Sequence, residues 1–347
     1  MKLISALTAG TLLAAGGVVA VAGPATSAPA LTTRCSGTAG GITITGDLVV
    51  PAGASCDLTD VTVTGSTRVA AGGDLVVEGT TFGGGVVVAE DGFFGAVDSS
   101  VAGRVTSRQG FGVVLEGTDA QSVVTRAVEG SEVLSATWLE DGSTVAAQVD
   151  ARSGELLISS SVVGGAVLGT GTTYADVVDS TLRGSLAVTD NAEGGVFCES
   201  EVYGDATYTG NMSVLQLGAD GPVEVCDSAS FWGGDVTISN NMAEITVDQN
   251  IVAGDLTGEG NDPAPTVGEG NRVRGELGGQ FAAPGEADAT VEAQELEASV
   301  ARMAASTEGA EEATVESVVE RTTATRALID ERTAVAEADA AAAGPIA

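Results

Sequence analysis

Along most of the chain, apolar and polar residues alternate over a few positions, break at a glycine, and resume about one repeat later. The unit reads Ser/Thr/Asn, any residue, Val/Leu/Ile, any residue, Gly, any residue, apolar, and it returns every 19 to 22 residues with one longer step. Clear copies begin at Ser99, Ser160, Ser180, Ser200, Asn250 and Asn271. A period of two is the mark of a strand with one buried face. Its return at a fixed interval marks a solenoid, in which each coil buries its apolar face against its neighbours.

With the repeat glycine as reference, the coils are anchored at Gly46, Gly65, Gly84, Gly103, Ser122, Gly142, Gly164, Gly184, Gly204, Gly233, Gly254 and Gly275. Two places earlier stand Ile44, Val63, Phe82, Val101, Ala120, Glu140, Val162, Leu182, Val202, Phe231, Val252 and Val273; ten of these twelve are large and apolar, so the column is predicted to face inward. Leu48 and Val50, Val86 and Val88, and Leu186 and Val188 continue the alternation after the glycine, as do Val236 and Ile238 once a residue is inserted after Gly233. A one-residue slip would bury Asp47, Arg104, Asp205 and Asp255, which fixes the register. Thr80, Ser99, Thr118, Ser160, Ser180, Ser200, Asn250 and Asn271 form a polar column suited to hydrogen bonding from coil to coil.

The predicted fold is therefore all-β: a right-handed parallel β-helix of 11 to 12 coils over residues 31–282, about 55 Å long at roughly 4.8 Å per coil. Coils near 21 residues and the lack of a strict six-residue repeat favour the right-handed form. Residues 31–41 and the stretch from Gly258 to Phe281 are the candidate end caps. From Pro284 glycine almost disappears. Leu296, Val300 and Met303, then Val315, Val318 and Val319, give residues 283–347 a weak apolar stripe within an acidic Ala/Glu-rich segment. A partly helical extension, frayed from Ala340 onward, is expected there.

Residues 1–30 hold one lysine, an apolar run and Ala28-Pro29-Ala30, the form of an export signal cleaved after Ala30. Four cysteines in an exported chain point to two disulfides. Cys35 and Cys56 lie one coil apart, and Cys198 and Cys226 match the single long step, so these are the expected pairs. Beyond residue 30 there is no lysine or histidine, and 13 arginines face 48 acids, a formal charge of −35. Such a surface excludes nucleic acid and anionic membranes as general partners, and after signal cleavage no membrane insertion is expected.

The Val-x-Gly-x-Leu repeats behind an export signal, and the stretch Gly260-Asn261-Asp262-Pro263-Ala264-Pro265-Thr266 after Asp255-Leu256-Thr257-Gly258, resemble secreted parallel β-helix repeat proteins of high-GC Gram-positive bacteria, mostly of unassigned function. The resemblance covers residues 35–281 and implies fold and export. It also implies a closing cysteine pair near the last coils, where this chain has Gly258 and Phe281 instead. The C-terminal helical segment is an addition to that pattern.

For chemistry, the acid pairs Asp57/Asp60, Glu90/Asp91, Glu140/Asp141 and Asp176/Asp179 fall at turns, where carboxylates cap the backbone in solvent. β-Helix lyases and glycosidases need a base or closely spaced acids in a cleft, and no catalytic residue is singled out here. Thr43/Thr45 and Thr62/Thr64 begin a flat threonine array that ends after two coils. Arg183, Tyr203 and Trp232 precede the glycines of three successive coils and form the one candidate binding column, suited to a sugar ring or a partner side chain. The functional expectation is a non-catalytic scaffold or surface-binding protein of the cell envelope or extracellular space, with a cell-wall or extracellular polysaccharide or a surface protein as partner. The alternatives are a carbohydrate-active enzyme and a Ca²⁺-dependent adhesive rod. No cofactor is expected, with Ca²⁺ the one ion that the acidity invites.

Overall fold

The computed structural model describes residues 31–127, 133–219, 221, 223–282 and 317–346. It is a β-solenoid of about 13 turns with a C-terminal helix, so the fold predicted from the repeat is the fold observed. The additional turn arises because Thr32–Arg34 pairs in parallel with Asp47–Val50, placing a partial coil ahead of the first repeat glycine. The described residues from Leu31 onward belong to one compact unit.

Each coil contributes three short strands, such as Thr62–Val63, Thr67–Val69 and Asp74–Glu78. Stacked in parallel, these build three faces. Continuous strands at Ser100–Arg108 and Asp119–Arg126 join the first two faces into one sheet of 23 strands, and the third face is a separate sheet of 12 strands. The core is the column of inward side chains from all three faces, mostly Val and Leu, with Phe82, Phe94 and Phe197 where the cross-section permits a ring.

Three coils differ from the sequence phase by a few residues. The inward column runs Ala120, Val145, Val163, Leu182, not through Glu140 and Val162, and further along it runs Val202, Trp232, Val252, not through Phe231. Gly142, with φ 86°, belongs to a turn that follows the third-face strand Ala136–Glu140. Gly164-Gly165 and Gly233-Gly234 are doublets whose second member carries the stack, because a Cβ on Gly184 would lie 2.4 Å from the Gly165 carbonyl oxygen and one on Gly234 would lie 2.7 Å from that of Gly204. The residue inserted after Gly233 in the sequence reading is thus removed.

Polar ladders run along the corners. Thr80 N–H donates to Ser99 Oγ (3.0 Å), Ser99 N–H to Thr118 Oγ1 (3.1 Å) and Ser161 N–H to Ser180 Oγ (3.1 Å). Ser161 rather than Ser160 is the buried member, and Ser160 occupies the turn at φ 46°. A second ladder, absent from the sequence reading, stacks Asn191, Asn211, Asn241 and Asn261 and ends on Gln280. Beside it the Phe281 side chain is buried, so a ring stands where the resemblance implied a closing cysteine pair.

The helix α1 (Val318–Ala343) opens with a capping box between Ser317 and Glu320. Its first turn meets the coils around Cys198 and Cys226, where Val318 N–H donates to the Val223 carbonyl (3.0 Å). Its end meets the first coil: Thr38 N–H donates to the Gly344 carbonyl and Ile346 N–H to the Thr38 carbonyl, both at 3.0 Å. Twenty-six helical residues at about 1.5 Å rise span roughly 39 Å, the length of eight coils at about 4.8 Å, which is the number it crosses. The frayed end expected from Ala340 is thus not found. Ala340 is fully buried, Ile346 packs against the solenoid core, and the tail covers the first strand of the third face, which would otherwise present unpaired backbone. Val319 faces solvent, so the apolar stripe does not include it. Leu296, Val300, Met303, Val315 and the signal segment lie outside the described residues.

Candidate functional site

Both cysteine pairs are bonded as the spacing requires, Cys35–Cys56 and Cys198–Cys226, with Cα separations of 5.5 and 5.6 Å. The second spans the enlarged coil, whose insertion is organised by the buried Gln216 amide. Its Oε1 accepts from Val223 N–H (2.9 Å) and Glu224 N–H (3.0 Å), and its Nε2 donates to the Ala219 and Glu224 carbonyls (2.7 and 2.6 Å). One side chain of the third-face strand Met212–Gly218 thus holds the insertion that follows that strand.

The candidate column of Arg183, Tyr203 and Trp232 does not assemble as predicted. Trp232 is 2% exposed and points into the core, its ring 4.0 Å from Phe197 and its Nε1–H donating to Asn250 Oδ1 (2.9 Å). The same one-residue phase shift turns Phe231 outward, where its ring meets Tyr203 edge-on at 5.7 Å. Tyr203 is 54% exposed, and its hydroxyl donates to Glu201 (2.9 Å), which raises the pKa of the phenol above the ordinary value. Arg183 is exposed one coil earlier. The surface group that exists is therefore Arg183, Glu201, Tyr203 and Phe231.

The most elaborate chemistry lies elsewhere, between α1 and the outer side of the third face. Strands with one buried face alternate, but Asp74–Glu78, Gly112–Glu116 and Ala136–Glu140 are buried on both sides over four successive positions. Outward Val76, Val114, Trp138 and Leu157 are covered by Ile329 and Ala336 of the helix. Every arginine of α1 faces this seam, about two coils apart, and each combines an aromatic ring with a carboxylate. Arg321 lies 4.4 Å over Tyr174 and pairs with Asp176. Arg326 lies 4.7 Å over Trp138 and pairs with Glu140 and Glu116. Arg332 lies 4.9 Å over Phe111 and pairs with Asp74 and Asp91.

Burial dominates the acids of the seam. It pushes Asp176 up to about 6 against the pull of Arg321, and pushes Glu155, bonded by the Thr325 hydroxyl at 3.1 Å, up to about 7. Asp74 and Glu140 are raised for the same reason, although Arg332 and Arg326 draw them back. Of the acid pairs noted in the sequence, Asp60, Asp91, Asp141 and Asp179 are turn residues with positive φ, as expected, whereas Glu140 and Asp176 point beneath the helix. A cleft of about 360 Å³ opens beside the N-terminal half of α1, lined among others by Glu140, Leu157, Glu224 and Arg326. Among the described residues, no three His, Cys, Asp or Glu side chains are grouped so as to hold a metal ion, and no helix is long and apolar enough to cross a membrane.

The fold and this seam define a β-solenoid strapped along one face by its own C-terminal helix. Comparison with protein-family models, with curated proteins and with solved structures finds no match.

Proposed function

We propose that the chain is an exported, non-catalytic scaffold of the cell envelope or extracellular space that binds a polysaccharide or a surface protein through Arg183, Glu201, Tyr203 and Phe231. The observation that carries this reading is the commitment of the acids most strongly raised by burial: Asp176 is engaged by Arg321 and Glu155 by Thr325, so these groups hold the strap in place. Glu140, one of the two acids that line the cleft, is likewise bonded to Arg326. Two disulfides suit an oxidising compartment, and residues 1–30 supply the export signal. The exposed edge-to-face ring pair with a neighbouring arginine offers an apolar plate and charged hydrogen-bond donors, the combination that receives a sugar ring or a peptide side chain.

A panel of cell-wall and extracellular polysaccharides, with and without Ca²⁺, tests it on the chain from Leu31. The expected result is binding to at least one polymer without turnover, weakened about tenfold or more when Tyr203→Ala and Phe231→Ala are combined, since loss of stacking is worth roughly 1–2 kcal/mol. Product release from any polymer overturns the non-catalytic reading. Binding unaffected by the double substitution overturns the site.

A further inference from the structure

The seam beneath α1 contains more carboxylates than guanidiniums. Among the described residues, Asp74, Asp91, Glu116, Glu140, Glu155 and Asp176 meet only Arg321, Arg326 and Arg332. Glu155 bonds the Thr325 hydroxyl, and among the described residues no arginine lies within ion-pair distance of it. Residues from every packed element face these acids. Arg321 and Thr325 of the helix, with Asp176 and Glu193 of the solenoid, surround Glu155. Arg321, the Val196 N–H and Glu224 surround Asp176. Glu116, Asp141 and Arg326 surround Glu140, while Asp91, Arg332 and the helix's own Asp339 surround Asp74. Tyr174, the ring under Arg321, donates its hydroxyl to Glu193 (2.8 Å).

We propose that α1 and its tail form a pH-responsive latch, closed over the third face in acid surroundings and opened as they turn neutral to alkaline. Docking takes these carboxylates out of water and brings like charges together, and only part of that cost is returned by three arginines. Protonation removes the cost at Glu155, where the partner is a hydroxyl that serves either charge state. The direction follows from the raised pKa values. An acid that holds its proton more tightly when docked stabilises the docked form fully below its ordinary value and loses that contribution as pH rises through the docked one. For Glu155 the interval runs from 4.5 to about 7, and for Asp176 from 3.8 to about 6, with Asp74 and Glu140 acting in the same sense. A shift of this size at Glu155 alone changes the docking equilibrium on the order of a hundredfold. Opening would uncover Phe93, Phe111, Trp138 and Tyr174 among acids, a second face distinct from the Tyr203 group.

The two tryptophans make the test internal, because Trp138 lies under Arg326 and Trp232 inside the solenoid. In the chain from Leu31 carrying Trp232→Phe, acrylamide quenching of Trp138 should be weak near pH 5 and rise several-fold with a midpoint at about pH 6–7. In the matching Trp138→Phe chain, Trp232 should remain shielded throughout. Adding Glu155→Gln to the first chain should keep Trp138 shielded to about pH 8, because the amide cannot ionise. The latch is overturned if Trp138 stays shielded up to about pH 9, if Glu155→Gln leaves the midpoint unchanged, or if Trp232 becomes accessible in the same pH range, which would report unfolding of the solenoid instead.

Discussion

At the scale of single residues, the solenoid satisfies a buried amide with the same amide one coil away. Asn241 Nδ2 donates to Asn261 Oδ1 (2.8 Å) and to the Tyr208 carbonyl (3.1 Å), while its Oδ1 accepts from the Asn211 backbone and side chain (2.9 Å each). Replacing Asn241 by Ala takes the acceptor from the Asn211 N–H groups and the donor from Asn261 Oδ1 and the Tyr208 carbonyl in a buried corner. Chemical denaturation should show a loss of about 1–3 kcal/mol, whereas Glu244→Ala, on an exposed position of the next strand, should change stability by less than about 0.5 kcal/mol. Equal effects would argue that the ladder is not a unit. The same scale decides the fate of the aromatic column. Trp232 and Phe231 differ by one position, and in a strand one position separates the core from the solvent. The sequence supported either assignment, because Gly233-Gly234 offers two equally good glycines and both neighbouring side chains are aromatic.

At the scale of elements, the coils and both disulfides are legible in the sequence, because period-two alternation, a stacked glycine and matching cysteine phases are all local signals repeated many times over. The misplacements fell where a signal was doubled or lost, at Gly142, Gly164 and Gly233. Gln216 could not be read, since nothing in its spacing marks one amide as the anchor of an insertion. Nor could the docking of α1, whose arginines lie 145 to 258 residues from the carboxylates they meet at Asp176 and Asp74. Only the double-sided apolar runs, such as Leu75-Val76-Val77 and Val113-Val114-Leu115, signal that something covers the third face. The Cys198–Cys226 bond closes a 28-residue separation around the least regular coil. Its removal, with both cysteines changed to Ser, should lower stability by about 2–4 kcal/mol. Denaturant titration of the two chains checks this, and a loss below about 1 kcal/mol would mean that Gln216 holds the insertion unaided.

At the scale of the whole molecule, a solenoid has two open ends, and its stacked strands are an invitation to edge-to-edge assembly. Here the last coils are finished by Phe281 and Gln280, while the first strand of the third face is finished by the chain's own C-terminus, brought back by a helix of matching length. The strong negative charge beyond residue 30 adds repulsion between copies to this closure. The return of the C-terminal segment to the first coil also fixes which face is covered by α1.

That return is most directly measured by cross-linking across the bridge between Thr38 and Pro345. With Thr38→Cys and Pro345→Cys in the chain from Leu31, mild oxidation near pH 5 should give a monomeric product without free thiols, because paired strands lie about 4.8 Å apart, within the roughly 4.4–6.8 Å between Cα atoms that a disulfide spans. Free thiols at both positions, or bonds formed only between molecules, would contradict a chain that closes on its own first coil.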